Sequence, residues 1–368
     1  MLNSPVGVVT DLDGTVVFGG VADPRLTPFL RRAAGCEDIS VIVATSRAPR
    51  GMVEVLGDAV TCLEGSVCFN GALWRLGDKE RRYPMRADHV RAVVDAASRA
   101  GMPLYVDQGH SFTALAGHDP VAAPWLGAVS AAVSDVAASP GTAAEKETRR
   151  RGGQDSETAP GLWDGLEHMR DYPDGKWYTD PAQVPTEDVL KVTVVSRRYQ
   201  GRAGQDIIRQ RIADPLLGAP GTRAAGAQEA GGPEPADTLQ DLLGLRLDGV
   251  VAYPHEDGVV DVCAAGVDKS VCMRLPTGEE ELAASGGADT SERTAVMGQT
   301  PGLRHRPVST WVAVGNDAND VAMIRAADIG VIVGDGLEEV RARRRTVRVP
   351  SRPGAVVSVL EQLLELHH

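Results

Sequence analysis

Two aspartates stand two residues apart in the segment Val8-Val9-Thr10-Asp11-Leu12-Asp13-Gly14-Thr15. The run Val6 to Thr10 is short and apolar and then breaks into acids and Gly, the pattern of a buried parallel strand ending in a polar turn. Gly14 permits the tight bend that aims both carboxylates at one point. Carboxylates so placed repel each other unless a cation or a proton lies between them. Hard oxygen ligands with room for waters suit magnesium. A carboxylate is also a nucleophile toward phosphorus, forming an aspartyl-phosphate that water later cleaves. The same residues equally make an ordinary acidic turn, and a motif this short does not separate the two readings.

Other segments bear on the choice. Ile39 to Ala44 ends in Thr45-Ser46-Arg47, which offers a hydroxyl and backbone N–H groups to a phosphoryl oxygen, or simply caps a helix. Trp311 to Val314 runs into Gly315-Asn316-Asp317-Ala318-Asn319-Asp320, two acids and two amides straight after a buried strand; its plain alternative is a polar turn capping a helix that begins near Asp320. Two carboxylate clusters at the ends of two buried strands would crowd like charge together, and a shared metal removes that difficulty. Lys269 opens an expected helix running to Leu275. A Lys in the first turn opposes the helix dipole unless it meets an anion, although an ordinary surface Lys is equally consistent with the segment.

The elements that must position these residues alternate. Strands are expected at Val6–Thr10, Ile39–Ala44, Trp311–Val314 and Ile329–Val333, with helices at Pro24–Ala34, Arg50–Leu56, Val321–Ala327, Leu337–Arg344 and Gly354–Leu366. Such alternation predicts an α/β fold: a doubly wound, Rossmann-like parallel-sheet core with its ligand site at the strand ends. The middle of the chain reads differently, with a helix at Asp88–Arg99 and strands at Leu190–Ser196, Gly249–Tyr253 and Gly258–Val262. An α+β cap domain spanning 80–263 is therefore expected, inserted into a core of 1–79 and 264–368. Pro140–Gly161, Gly218–Asp237 and Thr277–Gly302 are poor in apolar residues and read as surface loops or excursions.

The bulk composition narrows the function classes. With 38 Lys and Arg against 50 Asp and Glu, the formal charge is -12, which disfavours nucleic acid and anionic membrane as partners and still permits one cationic pocket for a phosphorylated substrate. Five cysteines without a CxxC pair fit reduced thiols better than a disulfide framework or a zinc site. The N-terminus passes straight into a strand, with no signal peptide, and no apolar run approaches the roughly 20 residues of a membrane span. A cytoplasmic location is expected. Oligomeric state is not read from the sequence.

The order Asp11-Leu12-Asp13-Gly14-Thr15, Thr45-Ser46-Arg47, Lys269 and Gly315 to Asp320 resembles the four signature motifs of the haloacid dehalogenase (HAD) superfamily of phosphatases. The closer likeness is to its Cof-type sugar-phosphatase branch, near the sucrose-phosphate and mannosylglycerate-phosphate phosphatases. Phe69-Asn70-Gly71-Ala72 looks like that branch's Asn-Gly-Ala turn, and Gly266-Val267-Asp268-Lys269-Ser270 like its lysine motif. Gly330 to Gly336, followed by Leu337-Glu338-Glu339-Val340, looks like its last core strand and helix. The cap matches only in length and in its mixture of strand and helix.

The resemblance implies a magnesium-dependent phosphomonoester hydrolase acting on a small substrate, a sugar or polyol phosphate. Asp11 would attack phosphorus, and Asp13 would protonate the leaving oxygen and then activate water. Thr45, with Ser46, and Lys269 would hold the phosphoryl oxygens. Magnesium would bind the Asp11 carboxylate, the Asp13 carbonyl and the motif around Asp320. Arg47, Asn70, Gly71 and Lys191 stand on the substrate side. The sequence departs from the family at Asn316, where a metal-binding Asp is usual: either Asn316 binds through its amide oxygen or the turn shifts so that Asp317 serves, and Asp320 stays at the metal in either register. Trp177, Tyr178, Arg197, Arg198, His110 and His118 are further cap candidates, each equally readable as packing or surface. The same scaffold also serves phosphomutases and phosphotransferases, and Asn316 admits a non-catalytic regulatory protein.

Overall fold

The computed structural model describes residues 5–77, 79–115, 175–178, 180–200, 239, 242–255, 257–274 and 308–366. The three expected loops at 140–161, 218–237 and 277–302 lie outside the described residues, as does His118.

The chain opens with β1 (Val6–Thr10), whose five residues are all buried, and a small hairpin, β2 (Val17–Phe18) and β3 (Val21–Ala22). Helix α1 (Leu26–Ala34) follows, burying Leu26, Phe29, Leu30 and Ala33 at helical spacing. Then come β4 (Ile39–Ala44), α2 (Pro49–Leu56), β5 (Gly65–Cys68), β6 (Leu73–Leu76) and β7 (Lys79–Arg82). Helix α3 (Ala87–Arg99) leads into a second group of strands: β8 (Leu104–Asp107), β9 (Phe112–Leu115), β10 (Gly175–Tyr178), β11 (Lys191–Gln200), β12 (Val250–Pro254) and β13 (Asp257–Ala264). The chain then returns through a short helix, α4 (Val271–Arg274), to β14 (Thr310–Gly315), α5 (Val321–Ala326), β15 (Ile329–Val333), β16 (Arg345–Val349) and α6 (Ala355–Leu363).

Among the described residues, eight strands form the first sheet in the order β16-β15-β14-β1-β4-β5-β6-β7. The first six are mutually parallel, and β6 and β7 are added antiparallel. Val6 and Val8 pack with Phe29 and Leu30 of α1 and Val356, Val357 and Leu360 of α6. Val9 belongs to the cluster that holds Met323 and Ile324 of α5, so helices cover both faces, as a doubly wound sheet requires. Six described strands form the second sheet in the order β10-β9-β8-β11-β13-β12, and the chain segments that build it fall between the two portions of the first. Helix α3 packs against it through Val90, Val93, Val94 and Ala97.

One expected helix is absent. Residues Leu337 to Arg344 form turns that lead into β16, a strand the sequence reading did not anticipate. Leu337 and Val340 are the buried apolar residues of this stretch; the arginine run beyond them supplies no apolar stripe, and Arg345–Val349 completes the sheet edge instead. The first sheet also continues past the expected core boundary through β7. Among the described residues no helix is long and apolar enough to cross a membrane, and all five cysteines are free thiols.

Candidate active site

Parallel strands deliver their C-terminal ends to one edge of the sheet. Thr10 of β1 lies beside Val43 of β4 on one side and Val314 of β14 on the other, so the acids after β1 emerge between Thr45 and the loop that follows Gly315. Gly14 sits at φ +74°, and a Cβ there would strike the Asn316 side-chain amide. The turn therefore needs Gly both for its conformation and for the closeness of its neighbour.

Lys269 is the hub of this edge. Its Nζ donates to Asp11 Oδ1 at 2.6 Å and to Asp320 Oδ1 at 2.7 Å, with all three side chains buried. Lys269 lies in the turn before α4 rather than inside a helix, so what meets it is a pair of carboxylates. Burial works against its ammonium charge, but the two acids more than offset that and raise its pKa above the ordinary lysine value. Burial pushes the Asp11 carboxyl up to about 7; Lys269 pulls the other way, and repulsion from Asp320 and Asp13 adds to the rise. Asp320 spends its second oxygen on the N–H groups of Asn316 and Asp317, at 2.8 and 3.1 Å. The shape of that loop and the aim of Asp320 are thus one unit.

Asp13 and Arg47 face each other. Arg47 Nε and one terminal nitrogen donate to the two Asp13 oxygens at 2.6 and 2.7 Å, a forked pair. Thr45 is fully buried, and its hydroxyl accepts the Arg47 N–H at 3.1 Å. The Ser46 carbonyl accepts Lys191 Nζ at 3.1 Å, so a second-sheet lysine reaches the end of β4. Asn70, at φ +56°, donates its backbone N–H to the Thr45 carbonyl. Gly71, at φ +110°, packs so closely on the Asp268 backbone that a Cβ would not fit. The expected site residues of the first sheet thus line one edge, and Lys191 joins them from the second.

Asn316 and Asp317 point different ways. Asn316 Oδ1 accepts the Thr15 hydroxyl at 2.8 Å, which holds this side chain against the Asp11–Thr15 turn. Asp317 turns to His255, with Oδ2 at 3.0 Å from Nδ1, while its other oxygen accepts the Ala318 N–H. His255 Nε2 lies 3.2 Å from Asp261, which also receives Asn70 Nδ2 at 3.0 Å and Thr193 Oγ1 at 2.7 Å and pairs with Lys191 Nζ at 3.1 Å. Burial opposes charge on all of these groups. Bonds to Asp261 and Asp317 nevertheless raise the His255 pKa well above its usual value, and Lys191 and His255 hold Asp261 far below the carboxylate range.

His255, Asp261, Thr193 and Asp107, which pairs with Arg50 at 2.6 Å, were not singled out from the sequence. A buried acid inside the apolar strand Val-Val-Asp-Val was the one available signal. Tyr178 lies on β10, and His110 is exposed between β8 and β9; the side chains of Trp177, Arg197 and Arg198 lie outside the described residues.

Among the described residues no three His, Cys, Asp or Glu side chains converge as in an all-protein metal cage.

A parallel sheet with an acid-and-lysine cluster at its strand ends, interrupted in sequence by a second, largely antiparallel sheet, defines the class: an α/β core with an inserted α+β unit. No protein-family model and no curated protein matches the sequence. Solved structures do match: the HAD subclass IIB sugar phosphatase BT4131 superposes with a TM-score of 0.56 at 14% identity, over 97% of this chain and 98% of that one. SMU.1108c from Streptococcus mutans UA159 gives 0.56 at 13%, over 98% of each chain. BT1666 from Bacteroides thetaiotaomicron, a HAD-superfamily phosphatase, gives 0.52 at 13%, over 97% and 94%. The chain therefore has the fold of the HAD phosphatases of subclass IIB.

Proposed function

We propose that this chain is a magnesium-dependent phosphomonoester hydrolase that works through an aspartyl-phosphate on Asp11, with a small polyhydroxylated substrate such as a sugar or polyol phosphate. The observation that carries the reading is the pairing of buried Lys269 with both Asp11 and Asp320, beside Asp13 in the fork of Arg47. A cation placed so deeply beside two acids suits a site that must gather a phosphoryl dianion next to a carboxylate nucleophile.

In this reading an Asp11 oxygen bonds to phosphorus as the ester P–O bond breaks, and Asp13 gives its proton to the leaving oxygen. Asp13 then takes a proton from water, whose oxygen displaces Asp11 and releases inorganic phosphate. Arg47 must let go of Asp13 before Asp13 can carry a proton, and an incoming phosphoryl group competes for the same guanidinium. Thr45, Ser46 and Lys269 hold the phosphoryl oxygens. Magnesium would be held by Asp11, the Asp13 carbonyl and Asn316, and supplies neutralisation of the phosphoryl charge. Asn316 takes that place rather than Asp317 because Asp317 is committed to His255. Asp320 contributes by fixing Lys269 and the loop.

The second sheet is the cap that selects the leaving group and excludes water. Free thiols and net negative charge support a cytoplasmic location. A phosphate-release screen over sugar, polyol and nucleoside phosphates, with and without magnesium, tests the proposal. Magnesium-dependent release of inorganic phosphate is expected; products that stay phosphorylated would make the chain a transferase or mutase, and silence across the panel would leave a binding protein on this fold.

A further inference from the structure

Asp261 of β13 is 2% exposed and gathers four donors. One oxygen serves the cap, accepting Thr193 Oγ1 at 2.7 Å and pairing with Lys191 Nζ at 3.1 Å. The other faces the core, with Asn70 Nδ2 at 3.0 Å and His255 Nε2 at 3.2 Å. Each of the latter two contacts leads onward. Asn70 Oδ1 accepts Asn319 Nδ2 at 2.9 Å, and His255 Nδ1 meets Asp317 Oδ2 at 3.0 Å. Asp261, His255, Asp317, Asn319 and Asn70 therefore form a ring that closes through the backbone of the loop ending in Asp320. Lys191 adds a third bridge, from Asp261 to the Ser46 carbonyl at the end of β4.

We propose that Asp261 is a positioning residue of the active site: a cap carboxylate that, with the cap seated on the core, grips the 316–320 loop from two sides and the 45–47 turn from a third. Burying a carboxylate in mid-strand is costly unless its lone pairs are satisfied. Cap groups alone could have satisfied it; three of its four partners instead lie on, or lead to, the strand ends that carry the reacting groups. A carboxylate accepts only, so an imidazole between two of them must donate from both nitrogens, and His255 becomes a charged strut between cap and loop. The loop in turn aims Asp320 at Lys269, and Lys269 at Asp11. Seating the cap would thereby set the distance between Lys269 and the nucleophile, although among the described residues the hydrogen-bonded side-chain partners of Lys269 are Asp11 and Asp320 of the core.

The turnover part of this inference rests on the phosphatase reading; the structural part does not, and the test separates them. Amide hydrogen exchange of the full chain is measured for wild type and Asp261→Asn, which keeps the shape but cannot hold Lys191 or His255 as an ion. The amides of Asn316, Asp317 and Ala318 should exchange about tenfold faster, while those of β1 and β15 stay unchanged. Wild-type rates in that loop, or acceleration spread evenly through β14 and β15, would overturn the proposal. Thr193→Val, which breaks only a bond within the cap, should leave the loop rates alone; equal acceleration there would reduce Asp261 to cap packing and defeat the idea. Should Asp261→Asn fail to fold, His255→Gln cuts one strut and should speed exchange at Asp317 and Ala318 about threefold, with no change counting against it. With para-nitrophenyl phosphate and magnesium, Asp261→Asn should lower kcat about tenfold with KM within about twofold, and an unchanged kcat would contradict the proposal. Absence of wild-type turnover would sink the phosphatase reading alone and leave the exchange rates to decide on Asp261.

Discussion

The two sheets bring polar groups to the same place by different means. In the core, parallel strands end together, so acids, hydroxyls and amides collect from the turns beyond β1, β4 and β14 while the strands themselves stay apolar. In the cap, the strands are mostly antiparallel and the polar groups come from one face of the strands. Val192, Val194, Val260 and Val262 are fully buried on the face toward α3, whereas Lys191, Thr193 and Asp261 alternate with them on the face toward the core. Tyr105 and Asp107 of β8 continue that polar face beside Thr193 and Lys191. A parallel sheet thus offers an edge and an antiparallel sheet offers a face. Chemistry that needs several residues on one atom suits the first, and recognition of an extended polar surface suits the second.

That contrast can be broken experimentally, beginning with the largest effect. Asp11→Asn should lower phosphate release about a thousandfold or more, the scale on which loss of a nucleophile falls, while the urea midpoint hardly moves; surviving activity would dissociate the core edge from the reaction. Lys269→Ala should abolish turnover and also cost about 3–5 kcal/mol in urea unfolding, because two buried carboxylates lose their shared cation. A loss below about 1 kcal/mol would mean that Asp11 and Asp320 do not depend on it. Chelation with EDTA should stop turnover and magnesium restore it, and Asn316→Asp should lower the half-saturating magnesium concentration about tenfold by adding a charged ligand; no change there, with a rise of about tenfold on Asp317→Asn, would put the metal at Asp317 instead.

The smallest effect belongs to the cap face. Burial raises the Asp107 carboxyl above its usual range, although Lys191 and Arg50 pull it down. A carboxyl that binds its proton more tightly when folded favours folding most below about pH 4 and loses that contribution as pH rises through its folded value. Wild-type stability should therefore fall relative to Asp107→Asn between pH 4 and pH 7, read from urea midpoints at each pH. Parallel curves would show that the Arg50 pair balances the burial.

How far each region can be read from sequence follows from the same contrast. The strand-end motifs were legible because each is contiguous: Asp11 to Thr15, Thr45 to Arg47 and Gly315 to Asp320 announce themselves without knowledge of any contact. The parallel order of the core followed from the alternation of apolar strands and amphipathic helices. The ring around Asp261 was not legible, because Asn70, His255, Asp261, Asp317 and Asn319 come from separate turns and strands, and only the register of β11 on β13 sets Thr193 opposite Asp261. Arg47 was read as facing substrate, and its fork on Asp13 depends on a side-chain direction that spacing does not encode. The stretch Leu337 to Arg344 misled because Leu337 and Val340 have helical spacing, while the arginines that follow carry no further apolar residue to extend it.

The outermost strands of the core sheet, β7 and β16, have a consequence for how the protein behaves in a crowded solution. An unpaired strand at a rim is a template on which another chain can add. Here one rim reads Lys79-Glu80-Arg81-Arg82 and the other carries exposed Arg345 and Arg348. A second copy approaching rim to rim would have to bring like charges together and strip water from them before its first hydrogen bond formed. Among the described residues, the charged side chains of these two rims thus disfavour strand addition at either edge.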